Sequence, residues 1–374
     1  MKFGLINTHP VPHGTSEIEI YRDSLEEYVF AEKLGYDGVF LAEHRFSEYG
    51  RPAIDVISAY VAALTTRIRI GIAVSVLPLH DPIQTAERYA TLDVLSNGRL
   101  DFGVGRGNQP KEFEGAGVPM SEARERFDES LDIILQAWTQ DKVNYDGRFF
   151  HYHDLAVMPK PIQKPYPPIW NAAVSPSTVE SIVKRGINGF VGPYLVDFRR
   201  LKADYFDLWH RLVAQYGQTG KITFAHNQLV YVAETDEQAR REAEQAAMWY
   251  IRTAAKLWAN PDRSRIPEQY QFYAGITDYL NAMTWDQVCE YSLIGSPQTV
   301  AEKLRYLNHE CGLEYLLLFY HFGHMPHAKV MRSIELFAHE VMPEFRGRQT
   351  AAAGSGRPGR GDGASQPLSA RSSS

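Results

Sequence analysis

The chain has 374 residues, of which 44% are hydrophobic and 22% charged, and its formal net charge is −6 at pH 7. This composition is typical of a globular protein with a large core, and an acidic balance spread along the chain argues against a general nucleic-acid binder. The two cysteines, Cys289 and Cys311, favour neither a disulfide scaffold nor a zinc site, so we expect reduced thiols in a cytoplasmic protein. The N-terminus lacks the apolar segment of a signal peptide, and no run of about 18 apolar residues predicts a membrane-spanning helix.

Apolar, strand-like runs alternate with helical patterns along most of the chain. The runs predict strands at 2–9, 38–44, 67–78, 100–107, 168–175, 189–195, 222–233 and 314–323. Helices are predicted at about 17–34, 53–65, 82–96, 125–138, 236–259, 298–309 and 327–339, and another starts at 175–178. Several strands are apolar on both faces, as a parallel sheet covered by helices requires. Eight such units favour an α/β fold, a TIM (β/α)8 barrel, over an open doubly wound sheet.

The chain divides into one predicted domain and a tail. We predict a single barrel domain over residues 1–346, in which the irregular stretch 260–295 is a lid-like insertion before the last βα unit. Residues 347–374 have low complexity and few large apolar side chains, so we expect them to be disordered.

The predicted second strand, GVFLAEH (38–44), leads into three consecutive ionisable residues, Glu43, His44 and Arg45. Barrel enzymes carry their chemistry at the C-terminal ends of the strands. Successive strand side chains point to opposite faces, so we expect His44 at the barrel mouth and Glu43 towards the helices. There His44 could act as an acid, a base or a hydrogen-bond donor to a ligand. A structural histidine tied to a loop carbonyl is the open alternative.

Two further strand ends predict an anion site. FGVGRG (102–107) supplies three glycines, which let a ligand approach the backbone, and Arg106, which can bind a phosphate through a bidentate fork. VSPST (174–178) places Ser175, Ser177 and Thr178 at a helix start, where hydroxyls and N–H groups bind anions, although N-capping would also explain them. Because these segments belong to neighbouring barrel strands, they could together bind the phosphate of a cofactor.

These residues, at these spacings, resemble the bacterial luciferase-like flavin monooxygenase family. The resemblance covers most of residues 1–345 and rests on FLAEHRF (40–46), GIAVSVLPLHDPIQTAE (71–87), LDVLSNGRLDFGVGRG (92–107), PPIWNAAVSPST (167–178) and GSPQTVAEKL (295–304). It implies a barrel that binds reduced FMN or, in some branches of the family, a deazaflavin cofactor.

The resemblance also assigns roles to residues around the cofactor phosphate. Arg106 matches the family's phosphate-binding arginine, with Asn108 offering its backbone N–H. Ser175 and Thr178 match phosphate ligands. Val174, which we also place beside the cofactor, stands where luciferase has a glutamate near the phosphate.

Other matches lie around the flavin ring. The pair Ala73–Val74 matches the place where the family has a non-proline cis peptide beneath the ring, and His44 matches the catalytic histidine beside it. Luciferase has a second histidine where this chain has Arg45, and a reactive cysteine where it has Gly105. We therefore do not expect light emission.

The resemblance implies a two-component monooxygenase. Reduced FMN from a separate NAD(P)H-dependent flavin reductase would react with O2 to give a flavin hydroperoxide, which oxygenates a small organic substrate. The family also suggests a homodimer. Two alternatives remain open: a deazaflavin-dependent dehydrogenase that moves hydride on the same fold, and a non-catalytic flavin-binding protein. Metal-dependent hydrolysis is a weaker alternative, because it would need a metal bound by histidines such as His9, His44, His226 and His321. We predict no metal site.

Overall fold

The computed structural model describes residues 1–257, 270 and 275–346. The strands are β1 (Lys2–Asn7), β2 (Gly38–Leu41), β3 (Arg69–Ile72), β4 (Ser75–Val76), β5 (Leu100–Gly105), β6 (Val143–Asp146), β7 (His151–Leu155), β8 (Ile169–Ala173), β9 (Asn188–Val191), β10 (Phe224–Val232), β11 (Leu293–Gly295) and β12 (Tyr315–Phe319). The helices are α1 (Glu17–Leu34), α2 (Ile54–Leu64), α3 (Pro82–Leu95), α4 (Pro110–Ala116), α5 (Ala123–Thr139), α6 (Pro176–Arg185), α7 (Phe198–Leu201), α8 (Asp207–Gln215), α9 (Asp236–Leu257), α10 (Ile276–Ala282), α11 (Trp285–Glu290), α12 (Pro297–Arg305), α13 (His327–Leu336) and α14 (Met342–Phe345).

Eight of the described strands form a closed parallel barrel. The order is β1-β2-β3-β5-β8-β9-β10-β12, every neighbouring pair is parallel, and β12 pairs with β1 to close the ring. Strands such as β2 and β12 are buried along their whole length, because they face helices outside and side chains inside. The predicted TIM barrel is confirmed.

The barrel interior is filled by large side chains below its mouth. Phe40 packs edge-on against Tyr315 with ring centroids 5.5 Å apart, and Trp170 and Leu317 belong to the same buried cluster. A Cβ atom added to Gly71 would lie 2.0 Å from the Phe40 ring, so β3 requires a glycine there. Since this packed layer occupies the barrel, the space for a ligand lies above it.

Several predicted boundaries are corrected by the structure. Strand β2 ends at Leu41, so the ionisable residues that follow lie in a loop and not on the strand. The predicted strand 67–78 is interrupted after Ile72 and continues as the two-residue β4, which pairs with β5. An apolar run indicates burial, but it does not show where strand pairing stops.

Outside the predicted insertion and before α9, the sequence analysis missed three groups of elements. These are α4, the antiparallel hairpin β6–β7, and the helical segment 198–215, in which α7 and α8 are joined through a π-helical turn at 202–206. In the last of these, Leu201, Tyr205, Trp209 and Leu212 recur at helical spacing and are buried. That periodicity was a usable signal for a helix after β9.

Part of the predicted insertion 260–295 is regular, because α10, α11 and β11 lie within it. Within the insertion, the structure describes Tyr270 and residues 275–295. Its other residues, and the predicted tail at 347–374, lie outside the described residues. Both cysteines are free of a disulfide, as predicted, and both are buried. No helix in the described part of the chain combines the length and the apolar character needed to cross a membrane.

Candidate functional site

A cavity of about 640 Å³ occupies the C-terminal mouth of the barrel. Its lining is drawn from segments at or just beyond the C-terminal ends of the barrel strands, together with residues of α4, α9, α10 and the helical segment 198–215. Seven of the eight predicted site residues line it: His44, Ala73, Val74, Arg106, Asn108, Val174 and Thr178. The eighth, Ser175, contacts one of these lining residues, since its hydroxyl lies 2.9 Å from that of Thr178.

One end of the cavity is an anion cradle, which we define as Arg106, Ser175, Ser177 and Thr178. Nη2 of Arg106 donates to the Thr178 hydroxyl at 3.4 Å, and the Ser175 and Ser177 hydroxyls are 3.2 Å apart. Although Ser175 is the N-cap residue of α6, its side chain accepts no capping hydrogen bond, so N-capping does not account for its hydroxyl. Within the described residues, Nη1 of Arg106 is buried and has no hydrogen-bond partner. A phosphate bound here could accept from the hydroxyls and pair with the guanidinium charge, so the residues fit a phosphorylated cofactor.

The peptide bond between Ala73 and Val74 is cis, which is the geometry that the resemblance predicts. Gly105 lies opposite this segment, on the strand that pairs with β4. A Cβ atom at Gly105 would lie 2.5 Å from a Val74 methyl group, so the close approach of the two segments requires glycine. The role of the pair beneath a flavin ring stays a prediction.

Glu43 is buried and fixes the segment that follows the cis peptide. Its carboxylate accepts hydrogen bonds from the Val76 backbone N–H at 3.1 Å, from Arg45 Nε at 2.8 Å and from His80 Nε2 at 2.9 Å. Burial raises the pKa of Glu43, but the hydrogen bonds and charges of His80 and Arg45 outweigh burial, and the net shift is downward. Glu43 therefore remains ionised and anchors β4 against the loop after β2.

His44 lies on the cavity wall, where two side chains compete for the same ring nitrogen. Nδ1 is 2.8 Å from Nε2 of Gln109 and 3.3 Å from Oε1 of Glu112, a buried carboxylate that also accepts from the Arg45 backbone N–H at 2.9 Å. Because Nδ1 is engaged, Nε2 is the nitrogen that can exchange a proton with a ligand. The sequence analysis missed Gln109 and Glu112, which lie on or just before the unpredicted helix α4.

The other candidate histidines lie outside the cavity lining. Nε2 of His9 is 2.9 Å from the Tyr28 hydroxyl, His226 Nδ1 is 2.8 Å from the Val191 carbonyl oxygen, and His321 Nδ1 is 3.2 Å from Glu27. Burial lowers the pKa of His9 to about 3 and that of His226 to about 4. Within the ranges that the structure describes, no group of three or more His, Cys, Asp or Glu is arranged to hold a metal ion.

The described part of the insertion covers the cavity. The Tyr270 hydroxyl donates to the Gly107 carbonyl oxygen at 3.1 Å, and its ring centroid lies 5.9 Å from the Arg106 guanidinium. Helix α10 contributes Tyr279, whose hydroxyl donates to the Leu195 carbonyl oxygen at 2.7 Å. The described residues of the insertion therefore contribute to the cavity lining both beside Arg106 and beside the loop after β9.

A parallel barrel whose mouth combines an anion cradle, a cis peptide and a histidine is an arrangement suited to a phosphorylated cofactor. Residues 1–315 match the family described as luciferase-like monooxygenase. The chain belongs to the luciferase-like monooxygenase family, as its sequence motifs predict.

Curated relatives place the chain within that family at moderate identity. An uncharacterized protein, y4vJ, of Sinorhizobium fredii is 38% identical over 177 residues, which cover 47% of this chain and 50% of the relative. The chain thus spans about half the length of that relative. The oxygenase component of a flavin-dependent trigonelline monooxygenase from Acinetobacter baylyi is 26% identical over 357 residues, which cover 92% of this chain and 96% of the relative.

Solved structures agree with this assignment. The monooxygenase RslO1 from Streptomyces bottropensis superposes with a TM-score of 0.78 at 26% identity, covering 92% of this chain and 100% of its own. An F420-dependent secondary alcohol dehydrogenase superposes with a TM-score of 0.72 at 17% identity, covering 92% of this chain and 99% of its own. The second likeness shows the fold alone.

Proposed function

We propose that this chain is the oxygenase component of a two-component monooxygenase, which uses reduced FMN and O2 to oxygenate a small organic substrate without emitting light. The observation that carries the proposal is that one cavity is lined both by Arg106 of the anion cradle and by His44, whose ring is contacted at Nδ1 and has no hydrogen-bond partner at Nε2 among the described residues. The name of the trigonelline monooxygenase relative, an oxygenase component, supports an NAD(P)H-dependent flavin reductase as the partner that supplies reduced FMN.

The chain's own residues would bind the cofactor and exclude water. Bound reduced FMN supplies the activation of oxygen, and the protein supplies orientation and a dry cavity. The side chains of the anion cradle would bind the phosphate, and the segment with the cis peptide would lie beneath the ring. The residues proposed to hold the cofactor are Ala73, Val74, Arg106, Asn108, Val174, Ser175 and Thr178.

His44 is the proposed acid–base residue. Its Nε2 can accept or donate a proton at the reacting atoms, while Gln109 and Glu112 fix the ring through Nδ1. In turnover assays, His44→Ala should lower product formation at least about 100-fold, the effect expected for a general acid or base. FMN affinity should change far less, and exposed His153 on β7, changed to alanine, is the control. Equal turnover in His44→Ala contradicts the assignment.

The first experiment is anaerobic. The protein is titrated with reduced FMN and then mixed with oxygenated buffer, while the flavin absorbance is followed by stopped flow. A delay between mixing and the return of the oxidised flavin spectrum supports an oxygenase. Immediate reoxidation of bound flavin favours a non-catalytic flavin-binding protein.

A deazaflavin-dependent dehydrogenase is the second candidate. An anion cradle can bind the phosphate group of either cofactor, and the F420-dependent alcohol dehydrogenase has the same fold. If reduced FMN does not bind, the titration is repeated with the deazaflavin cofactor. Tight binding of that cofactor, with hydride transfer in the absence of oxygen, would replace the monooxygenase proposal.

A further inference from the structure

Asn227 is a polar residue on the floor of the cavity. It lies on β10, two positions after Ala225, which belongs with Phe40 to the buried cluster inside the barrel. Because strand side chains alternate between the two faces, Asn227 also points into the barrel, one layer nearer the mouth. It pairs in register with Leu317 of β12, and both residues line the cavity. A ligand therefore reaches the Asn227 carboxamide through the cavity.

The Asn227 carboxamide makes no hydrogen bond with any residue in the described part of the chain, and its side chain is partly exposed. The two strands that flank β10 contribute Phe190, Leu317 and Phe319 to the lining, and none of these side chains is polar. A ligand that fills the floor displaces water from the carboxamide. If that ligand has no matching polar groups, the carboxamide is left unsatisfied, which weakens binding.

Asn227 differs from the other carboxamides of the cavity. Three carboxamide side chains line its described part: Asn108, Gln109 and Asn227. Gln109 contacts the His44 ring at 2.8 Å, and Asn108 follows the anion cradle's Arg106 by two residues. Asn227 is therefore the one that neither the proposed acid–base residue nor the proposed cofactor site uses.

Asn227 lies across the barrel from the residues proposed to hold the cofactor. Those residues follow β3, β5 and β8, which are consecutive strands of the ring, whereas β10 lies opposite β3. The side of the cavity that β10 forms with its neighbour β12 is apolar apart from Asn227. A second ligand bound beside the cofactor would thus contact apolar surface and one carboxamide.

A carboxamide presents a hydrogen-bond donor and an acceptor side by side. Its complement is a ligand edge on which a carbonyl oxygen and an N–H group point the same way. Lactams, imides and primary amides have that edge, whereas an open-chain secondary amide is trans and points the two groups in opposite directions. The complementary ligand is neutral, because the carboxamide offers no charge to pair with an ion.

We propose that Asn227 is a substrate-recognition residue, and that the substrate carries a lactam, imide or primary-amide edge that exchanges two hydrogen bonds with its carboxamide. This inference rests on the proposed function for the presence of a substrate, but binding at Asn227 can be measured without turnover. The pyrimidine ring of a flavin also carries an imide edge, so the experiment has arms that separate the two sources.

The test compares three bicyclic probes of similar size by equilibrium dialysis, with and without oxidised FMN. Isoindolinone is a lactam, N-methylisoindolinone lacks the donor, and indanone has a methylene group in place of the N–H. Each is measured on the unchanged protein, on Asn227→Leu, which is close in size but apolar, and on Asn144→Leu. Asn144 is the matched control, because it is exposed on β6 and does not line the cavity.

We expect isoindolinone to bind about tenfold or more tightly than the other two probes, since each of them leaves one group of the carboxamide unpaired. The preference should persist with FMN bound, vanish in Asn227→Leu and remain in Asn144→Leu. Equal binding of the three probes, an unchanged preference in Asn227→Leu, or no isoindolinone binding at about 10 mM overturns the proposal. If Asn227→Leu does not fold, Asn227→Ala, which introduces no bulk, takes its place.

The FMN arms separate failure of this inference from failure of the proposed function. A preference that bound FMN abolishes shows that the flavin occupies Asn227, and it overturns the substrate assignment. FMN binding with no preference in either state contradicts this inference alone. A lactam preference in a protein that does not bind FMN supports recognition by Asn227 and contradicts the proposed function alone.

Discussion

Arg106 is the residue whose surroundings define the ligand chemistry best. Nη2 of the guanidinium donates to Thr178, whereas Nη1 is buried and has no hydrogen-bond partner among the described residues. Buried polar groups in folded proteins are nearly always hydrogen-bonded, so an unpartnered guanidinium nitrogen on a residue that lines a cavity favours an anionic ligand. The sequence predicted this residue from its place after a glycine-bearing strand, but only the packing shows which nitrogen is unpartnered.

Replacing Arg106 tests this assignment. Arg106→Lys keeps the positive charge and removes the planar fork, so FMN affinity should fall about tenfold or more. Riboflavin, which has the same ring but no phosphate, should bind as before. Fluorescence titration measures both affinities, and Arg126→Lys, in an ion pair with Glu122 away from the cavity, is the control. If both ligands weaken equally, Arg106 does not bind the phosphate.

Residues contributed by short, irregular segments escaped sequence analysis. His44 and Arg106 follow strands and belong to recognisable motifs, whereas Glu112 and Gln109 reach His44 from a chain distance of 68 and 65 residues. No local pattern encodes such a contact. It depends on how the loop after β2 packs against α4.

At the scale of elements, the contact between β5 and the segment before β4 shapes the floor of the site. Gly105 on β5 lies against Val74, and no side chain fits between them. Strand pairing of Ser75 with Val104 fixes this approach. Packing therefore explains the glycine at position 105, because β5 and the segment before β4 approach too closely for a larger side chain.

Adding a methyl group at this contact should destabilise the fold and weaken FMN binding. Gly105→Ala places a Cβ atom 2.5 Å from a Val74 methyl group, so the free energy of unfolding should fall by about 1–3 kcal/mol, and FMN affinity should fall with it. Denaturant unfolding and FMN titration measure the two effects. The double variant Gly105→Ala with Val74→Ala is the control, because it removes the clash. An undiminished stability of the single variant would show that the contact is adaptable.

Sequence analysis predicted the strands that are buried along their whole length, and it missed the exposed hairpin β6–β7. The apolar runs of β2 and β12 are buried on both faces and are visible in the sequence. The hairpin β6–β7 is largely exposed, so its alternation carries no apolar signal. Strand ends were placed too late, because pairing ends where neighbouring strands diverge and not where apolar residues stop.

At the scale of the whole molecule, buried histidines make folding depend on pH. Burial lowers the pKa of His226 from 6.5 to about 4 and that of His9 to about 3. The unfolded chain therefore binds protons more readily than the folded one as the pH falls below 6.5. His327 opposes this trend, since its contact with the Glu27 carboxylate raises its pKa and adds stability at low pH.

We expect the free energy of unfolding to decrease as the pH falls from 6.5 to about 4, with His226 alone contributing roughly 3 kcal/mol. Urea unfolding at several pH values measures the slope. His226→Gln should flatten the dependence, and exposed His309→Gln should leave it unchanged. A slope that is equally steep in His226→Gln would exclude His226 as its source.

The surface of α2 supports the proposed homodimer. Val56, Tyr60 and Leu64 recur at every fourth residue and are 66%, 58% and 45% exposed, which makes an apolar row along one helix. We expect the protein to sediment as a dimer and Tyr60→Arg to yield monomer, because a charge would be buried in the interface. Ile18→Arg, at an isolated exposed position on α1, is the control. A dimer that persists in Tyr60→Arg places the interface elsewhere.

The sequence by itself determined the eight strand–helix units, the barrel they form, and the motif residues Arg106, Ser175, Thr178 and His44 at the strand ends. These features are local, since each depends on a run of buried apolar residues or on a short motif beside it. Only the tertiary structure decided that Tyr49, Tyr194 and Tyr250 share one wall, because closure of the barrel brings together hydroxyls that are up to about 200 residues apart in the chain. The residues proposed to hold the cofactor are therefore visible in local sequence, whereas the walls of the cavity depend on contacts that exist only after folding.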